Sequence, residues 1–220
     1  MSPVESLSRT LSLDVRVHAL SCRLGATMAV DDVTLEVAAG QRVAIIGPNG
    51  AGKSSLLRCI LGLVPSRGTV SVGGAVATTR AGWRQRRAAV AWVPQRPAVG
   101  RFPLLVRELL ASSGSPDASL EAADRLGVAH LWNRPLHTLS GGQLQRVYIA
   151  RGLGHLAAGA GVLLADEPTS ALDFDTRDAV SAILSDVPVT AVIVTHDAAI
   201  ADRADRVVEM AAGRLREVRG

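Results

Sequence analysis

The run Gly47-Pro48-Asn49-Gly50-Ala51-Gly52-Lys53-Ser54, followed by Ser55, has the composition and spacing of a polyphosphate cradle. Several backbone N–H groups must converge on such an anion, and glycines let the chain turn tightly and approach it closely. Lys53 is the only lysine among 24 basic residues. A compact ammonium suits the β- and γ-phosphates, and the Ser54 hydroxyl suits Mg²⁺. Other candidates for the same chemistry are scattered along the chain. The carboxylate pair Asp166-Glu167 follows an apolar run; Asp166 would hold a cation through water, and Glu167 would polarise an attacking water. Gln95 offers an amide to Mg²⁺ or water, and His196 a ring that reaches a γ-phosphate. Taken singly, each of these is equally a surface or core residue.

The elements that must carry these groups are legible as hydrophobic patterns. Arg42 to Ile46 reads as a buried strand before the glycine loop, and a helix begins at Lys53 with its positive dipole end on the anion. Residues 11 to 19 and 33 to 37 alternate like half-exposed strands, and Thr69 to Val72 belongs with them, which predicts an antiparallel layer ahead of the loop. Ala88 to Val93 is a strand ending at Pro94-Gln95. From Arg96 to about Leu156 only helical spacing is found, at 104–111, 120–126 and 142–156. Alternation then returns: a strand before Asp166, a helix from Thr176 to Leu184, a strand from Val189 to Val194 and a weaker terminal hairpin. Strands alternating with helices predict a mostly parallel sheet with its site at the strand ends.

Composition narrows the class. The 220 residues suffice for a sizeable core, and no apolar run approaches the roughly 18 residues of a membrane span. Met1 to Thr10 lacks the basic and apolar regions of a secretory leader, so a cytoplasmic chain is expected. Cys22 and Cys59 are expected to be small neutral side chains, neither ligands nor a disulfide. The net charge is +4, with Arg80, Arg84, Arg86 and Arg87 the densest run. Acidic residues are spread throughout and no aromatic ladder for stacking bases is present, so this run is read as a solvated face and no nucleic-acid partner is expected.

Leu139-Ser140-Gly141-Gly142-Gln143, continued by Leu144-Gln145-Arg146, decides the family. With the glycine loop, Gln95, Asp166-Glu167, the Ser170-Ala171-Leu172-Asp173 turn and His196 in that order, nearly the whole chain resembles the ATP-binding-cassette (ABC) ATPases. The resemblance implies an α/β fold: a P-loop NTPase (RecA-like) core over 1–95 and 158–220 with an N-terminal antiparallel β layer, and an inserted helical subdomain over 96–157. It implies ATP and Mg²⁺ as cofactors, with Ser54, Gln95 and Asp166 around the metal and Glu167, His196, Gln95 and Lys53 serving hydrolysis. It also implies a head-to-tail dimer with two sandwiched ATPs. In it Ser140, Gly141, Gly142 and Gln143 cap the γ-phosphate bound to a partner chain, and Asp173 crosses the interface. Gln95 would report the γ-phosphate to whatever docks at the helical subdomain. The family presents an aromatic side chain to adenine upstream of the loop. The matching position here is Leu24, which predicts looser base selectivity.

One cassette without a span implies transport through a separate membrane permease, with the chain peripheral on the inner face of the membrane. A solute-binding protein is a further partner if transport is import. A soluble cassette acting on ribosomes or DNA, and a non-hydrolysing switch, are the alternatives; the short insertion counts against the first, and Glu167 with His196 against the second. Val93-Pro94-Gln95-Arg96-Pro97 followed by Arg101-Phe102-Pro103-Leu104-Leu105-Val106 is similar to zinc- and manganese-type importers, which implies import of a divalent metal, with another small-solute importer or an exporter as the alternative. Phe102, Leu104, Leu105 and Val106 are either a docking groove for the permease or the core face of a helix.

Overall fold

The computed structural model describes residues 11–95 and 103–220. The expectations that fall on Met1 to Thr10, and on Arg96 to Phe102, lie outside the described residues. Two sheets carry the fold. β1 (Val15–Leu24) pairs antiparallel with β2 (Thr27–Val37) and with β4 (Arg67–Val72), and β5 (Ala75–Val76) closes a four-stranded layer in the order β2-β1-β4-β5. The second sheet has β3 (Arg42–Ile46), β6 (Val90–Val93), β7 (Val162–Asp166), β8 (Thr190–Val194), β9 (Arg206–Ala211) and β10 (Arg214–Arg219) in the order β10-β9-β3-β8-β7-β6. Its strands run parallel except β10, which returns as a hairpin on β9.

Strict alternation along the buried parallel strands divides the interior in two, because successive side chains point to opposite faces. Leu163, Ala165, Ala191 and Ile193 join one core; Val162, Leu164, Val192 and Val194 join the other. The second core also holds the inner face of the antiparallel layer and the apolar face of helix α1 (Lys53–Ile60), whose Leu56, Leu57 and Ile60 are fully buried. Each such side chain contributes about 2 kcal/mol of burial, and together they press the helix behind the glycine loop against the sheet.

The first core is built from α3 (Val106–Ala111), α4 (Pro116–Arg125) and α5 (Gly141–Ala157), lying on β6, β7 and β8. Among the described residues from 103 to 157 the only β pairing is the single bridge Leu105–Pro135. Val106 is fully buried in this core and Leu104 packs against it, so these two side chains form the core face of a helix and its approach. The segment after the second carboxylate forms α6 (Phe174–Ser185), and a short α7 (Ala198–Asp202) follows β8.

Two stretches differ from their expectations: the first strand runs over Val15–Leu24 in place of the expected 11–19, and the arginine-rich run is helical. Arg80 to Ala89 is a helix, α2, capped by Thr79, whose hydroxyl accepts from Gly82 N at 3.1 Å. Ala88 and Ala89 therefore belong to a helix, and the strand begins at Val90, where the β-branched residue and the buried sheet position start. Nor is the arginine run uniformly solvated: Arg86 is buried, donates from Nη2 to the Val70 and Ala75 carbonyls, and lies 4.8 Å from the Trp83 ring centroid. Cys22 and Cys59 are buried and free. Burial and the adjacent Cys22 thiol push Cys59 up to about 12, so it stays neutral.

Candidate functional site

β3 ends at Ile46, and the glycine loop crosses from it to α1 above the sheet's carboxyl ends. The loop's backbone leaves no alternative to glycine at Gly52: φ is +105°, and a Cβ there would lie 1.9 Å from the Ala29 carbonyl oxygen. Gly52 is the N-cap of α1 and makes no side-chain cap, so the helix's first N–H groups are left to an anion. Lys53 Nζ curls back over the loop and donates to the Gly47 and Pro48 carbonyls at 2.5 and 3.0 Å. A cavity of about 610 Å³ opens here, lined by Asn49 to Ser55 with Leu24, Thr27, Ala29, Gln95, Asp166 and Glu167.

Four strand ends deliver the polar groups. Ser54 Oγ donates to Asp166 Oδ1 at 3.0 Å, bringing together residues 112 positions apart. Burial pushes the Asp166 carboxyl above its ordinary value, against the Ser54 bond and the Arg58 and Lys53 charges, which pull it down. A desolvated carboxylate, a hydroxyl and the Gln95 amide on one cavity wall form a hard oxygen set, which fits Mg²⁺. Glu167 follows with φ +47°, a left-handed backbone at a residue that is 7% exposed. Its amide donates to Val194 O at 2.8 Å, and its carboxylate lies 3.0 Å from His196 Nε2 and accepts from His196 N at 3.3 Å. The carboxylate is thus held by the next strand's end, in reach of the cavity. His196 itself stands on the far side of the loop, in a neighbouring cleft with Gly47 and Pro48.

A second group lies elsewhere on the chain. Ser140 caps α5: its Oγ accepts from Gln143 N at 3.2 Å, while Gln143 Oε1 accepts from Ser140 N at 3.1 Å. Gln143 is thereby committed to shaping the helix end, and the Ser140 hydroxyl still has its proton to donate. Asp173 likewise caps α6, accepting from Thr176 N at 3.0 Å; that amide holds its carboxyl below the ordinary value. None of Ser140, Gly141, Gly142, Gln143 and Asp173 lines the cavity. Gly142 binds the two caps together, because a Cβ there would come within 3.0 Å of Ala171 O in the Ser170–Asp173 turn.

Leu24 does line the cavity, 42% exposed, with no aromatic residue among its described neighbours there. Thr27 and Ala29 were not expected in the wall. Their signal is the β1–β2 hairpin, whose register sets Thr27 opposite Leu24. Among the described residues no helix is long and apolar enough to cross a membrane, and no group of three or more His, Cys, Asp or Glu forms a metal site.

Comparisons with known proteins meet this geometry. The family model described as ABC transporter matches residues 30–170. A hemin import ATP-binding protein of Bradyrhizobium diazoefficiens is 39% identical, over 93% of this chain and 82% of its own length. A sulfate/thiosulfate import ATP-binding protein of Chromobacterium violaceum is 37% identical, over 99% and 61%. A manganese transport system ATP-binding protein of Listeria monocytogenes is 33% identical, over 83% and 80%. Among solved structures, the dimeric post-hydrolysis state of an ATP-binding cassette bound to ADP and Pi superposes with a TM-score of 0.80 at 27% identity, covering 94% of this chain and 99% of the other.

Proposed function

Because the chain belongs to the ABC transporter family, whose ATPase domain it carries, we propose that it powers solute import through a separate membrane permease, as a head-to-tail dimer on the membrane's inner face. The observation that carries the ATPase chemistry is the meeting of Ser54 Oγ and Asp166 Oδ1 at 3.0 Å beneath the glycine loop, with Glu167 at the next position. ATP phosphates would lie on the loop's N–H groups and Lys53, and the adenine against Leu24 and Thr27. Ser54 and Gln95 would hold Mg²⁺, with Asp166 behind a water, and the ion would neutralise charge developing on the phosphates. Glu167, fixed by His196, would take the proton of the attacking water.

The cap at Ser140 to Gly142 is an anion-binding helix end with no phosphate partner in its own chain's cavity, which supports a second copy as the owner of that phosphate. The helical segment 96–157 would then act as a subdomain that carries the cap and meets the permease. Within importers the first candidate cargo is a divalent metal, zinc or manganese, supported by the manganese relative. Hemin is the second reading, supported by the relative at 39% identity. A solute-binding protein would deliver either one.

Glu167→Gln tests the chemistry. The variant should keep ATP affinity and lose turnover by about 10²- to 10⁴-fold; near-normal turnover would remove Glu167 as the base. Labelled zinc, manganese and hemin uptake in cells lacking the chain, restored by wild type and not by Glu167→Gln, names the cargo. Unchanged uptake of all three would exclude both cargo readings and leave the ATPase untouched.

A further inference from the structure

Gln145 sits on the inward face of α5, and only 1% of it is exposed. Ile149, one turn on along the same face, is apolar and belongs to the core, as do Leu144 and Val147 on the helix's other buried sides. The side chain reaches out of the helix: Nε2 donates to the Pro94 carbonyl oxygen at 3.2 Å, across 51 positions of sequence. That carbonyl belongs to the peptide bond joining Pro94 to Gln95. Holding it sets the plane from which the Gln95 side chain enters the cavity. The other half of the amide, Oε1, is buried with no hydrogen-bond partner among the described residues.

A half-satisfied buried amide is a poor way to stabilise a core. Leaving an acceptor unpaired costs about 1–3 kcal/mol, and an apolar side chain in its place would remove that cost but leave the Pro94 carbonyl without its donor. The bond to Pro94 is the polar contact that the structure gives this buried side chain. The helix and the strand before Pro94 are also in close contact, since a Cβ at Gly152 would stand 3.0 Å from Val93 Cγ2. Strand end and helix are thus packed directly against each other at this point.

We propose that Gln145 is a positioning residue for ATP hydrolysis, which ties the Pro94–Gln95 peptide to the helix that begins at the Ser140–Gly142 cap. It rests on the reading of Gln95 as a group that meets Mg²⁺ or the attacking water. Engagement of the cap, five residues before Gln145, would then pass along a rigid helix to the Gln95 amide. Gln145 touches neither nucleotide nor water; it acts through Gln95.

A double-mutant cycle on the full-length chain tests this, with steady-state ATP hydrolysis and thermal unfolding as readouts. Gln145→Met keeps the volume and loses the donor, and Gln145→Leu removes the donor with a different shape, which separates the bond from packing. Both should lower kcat by about tenfold with KM within about twofold, while the melting temperature falls only modestly, because the part-buried Pro94 carbonyl loses its donor. Gln95→Ala should lower kcat at least as much, and Gln95→Ala with Gln145→Met should be no slower than Gln95→Ala alone. The inference is overturned if either Gln145 variant has wild-type kcat, or if the two losses multiply to about 100-fold. Wild-type turnover in Gln95→Ala itself would sink the Gln95 reading, and this inference with it; the two failures are told apart by that single variant.

Discussion

Asp166 shows what a single residue is asked to tolerate at this site. Burial raises its pKa, so the folded chain favours the protonated form more than the unfolded chain does. The sign follows from linkage. Stability falls as pH rises from the ordinary aspartate value, where the unfolded chain ionises first, and levels off above the raised folded value. Above that raised value the ionised carboxylate is therefore a cost, offset in part by Ser54 and in a working site by a cation. Asp166→Asn should melt higher than wild type at pH 7 without Mg²⁺ or nucleotide, lose Mg²⁺-dependent turnover, and lack the fall in stability that Asp166 adds across that pH window. A lower melting temperature for the variant at pH 7 would contradict the assignment. Asp166 was legible as a ligand candidate from its strand end. Its contact with Ser54 was not, because 112 positions separate them and only the parallel register of β3, β8 and β7 brings their strand ends together.

At the scale of an element, the arginine-rich helix α2 is the instructive case. Thr79 is a capping residue and the alanines that follow the arginines favour helix, so the helix was within reach of local reasoning. What local reasoning lacks is the difference between Arg84 and Arg86. Arg86 turns under the hairpin of β4 and β5, donates to two carbonyls and stacks on Trp83, while Arg84 stays exposed. Arg86→Ala leaves both carbonyls without that donor and should cost about 2 kcal/mol in urea unfolding; Arg84→Ala should stay within about 0.5 kcal/mol. Equal effects from the two would mean that the run is a uniform solvated face after all.

At the scale of the whole molecule, the two helix ends assigned above to anion binding do not share a cavity. The first, at Gly52 and Lys53, lines the cavity beneath the glycine loop; the second, at Ser140, does not, and it lies against the Asp173 turn through the close approach of Gly142 to Ala171. In the proposed head-to-tail pair of chains, one end of each kind would meet every nucleotide. In the Glu167→Gln background, ATP should shift the chain to a dimer in size-exclusion chromatography. Adding Gly142→Val, whose side chain meets Ala171 O, should abolish that shift while ATP affinity changes by less than about threefold. A dimer that survives Gly142→Val would place the interface elsewhere.

The chain's own order of residues determined the glycine loop, the strand before it, the helix after it, the capped Ser140 helix and the class of fold. These depend on spacing, turn chemistry and alternation within a few residues, all of which are local. The tertiary structure alone decided which carboxylate meets Ser54, that His196 braces Glu167 from outside the cavity, that Arg86 is buried among its exposed neighbours, and that Gln145 reaches Pro94. Each of these joins segments far apart in sequence. Such contacts are set by how the helices pack on the sheet and by the parallel register of its strands, neither of which any short stretch of residues records.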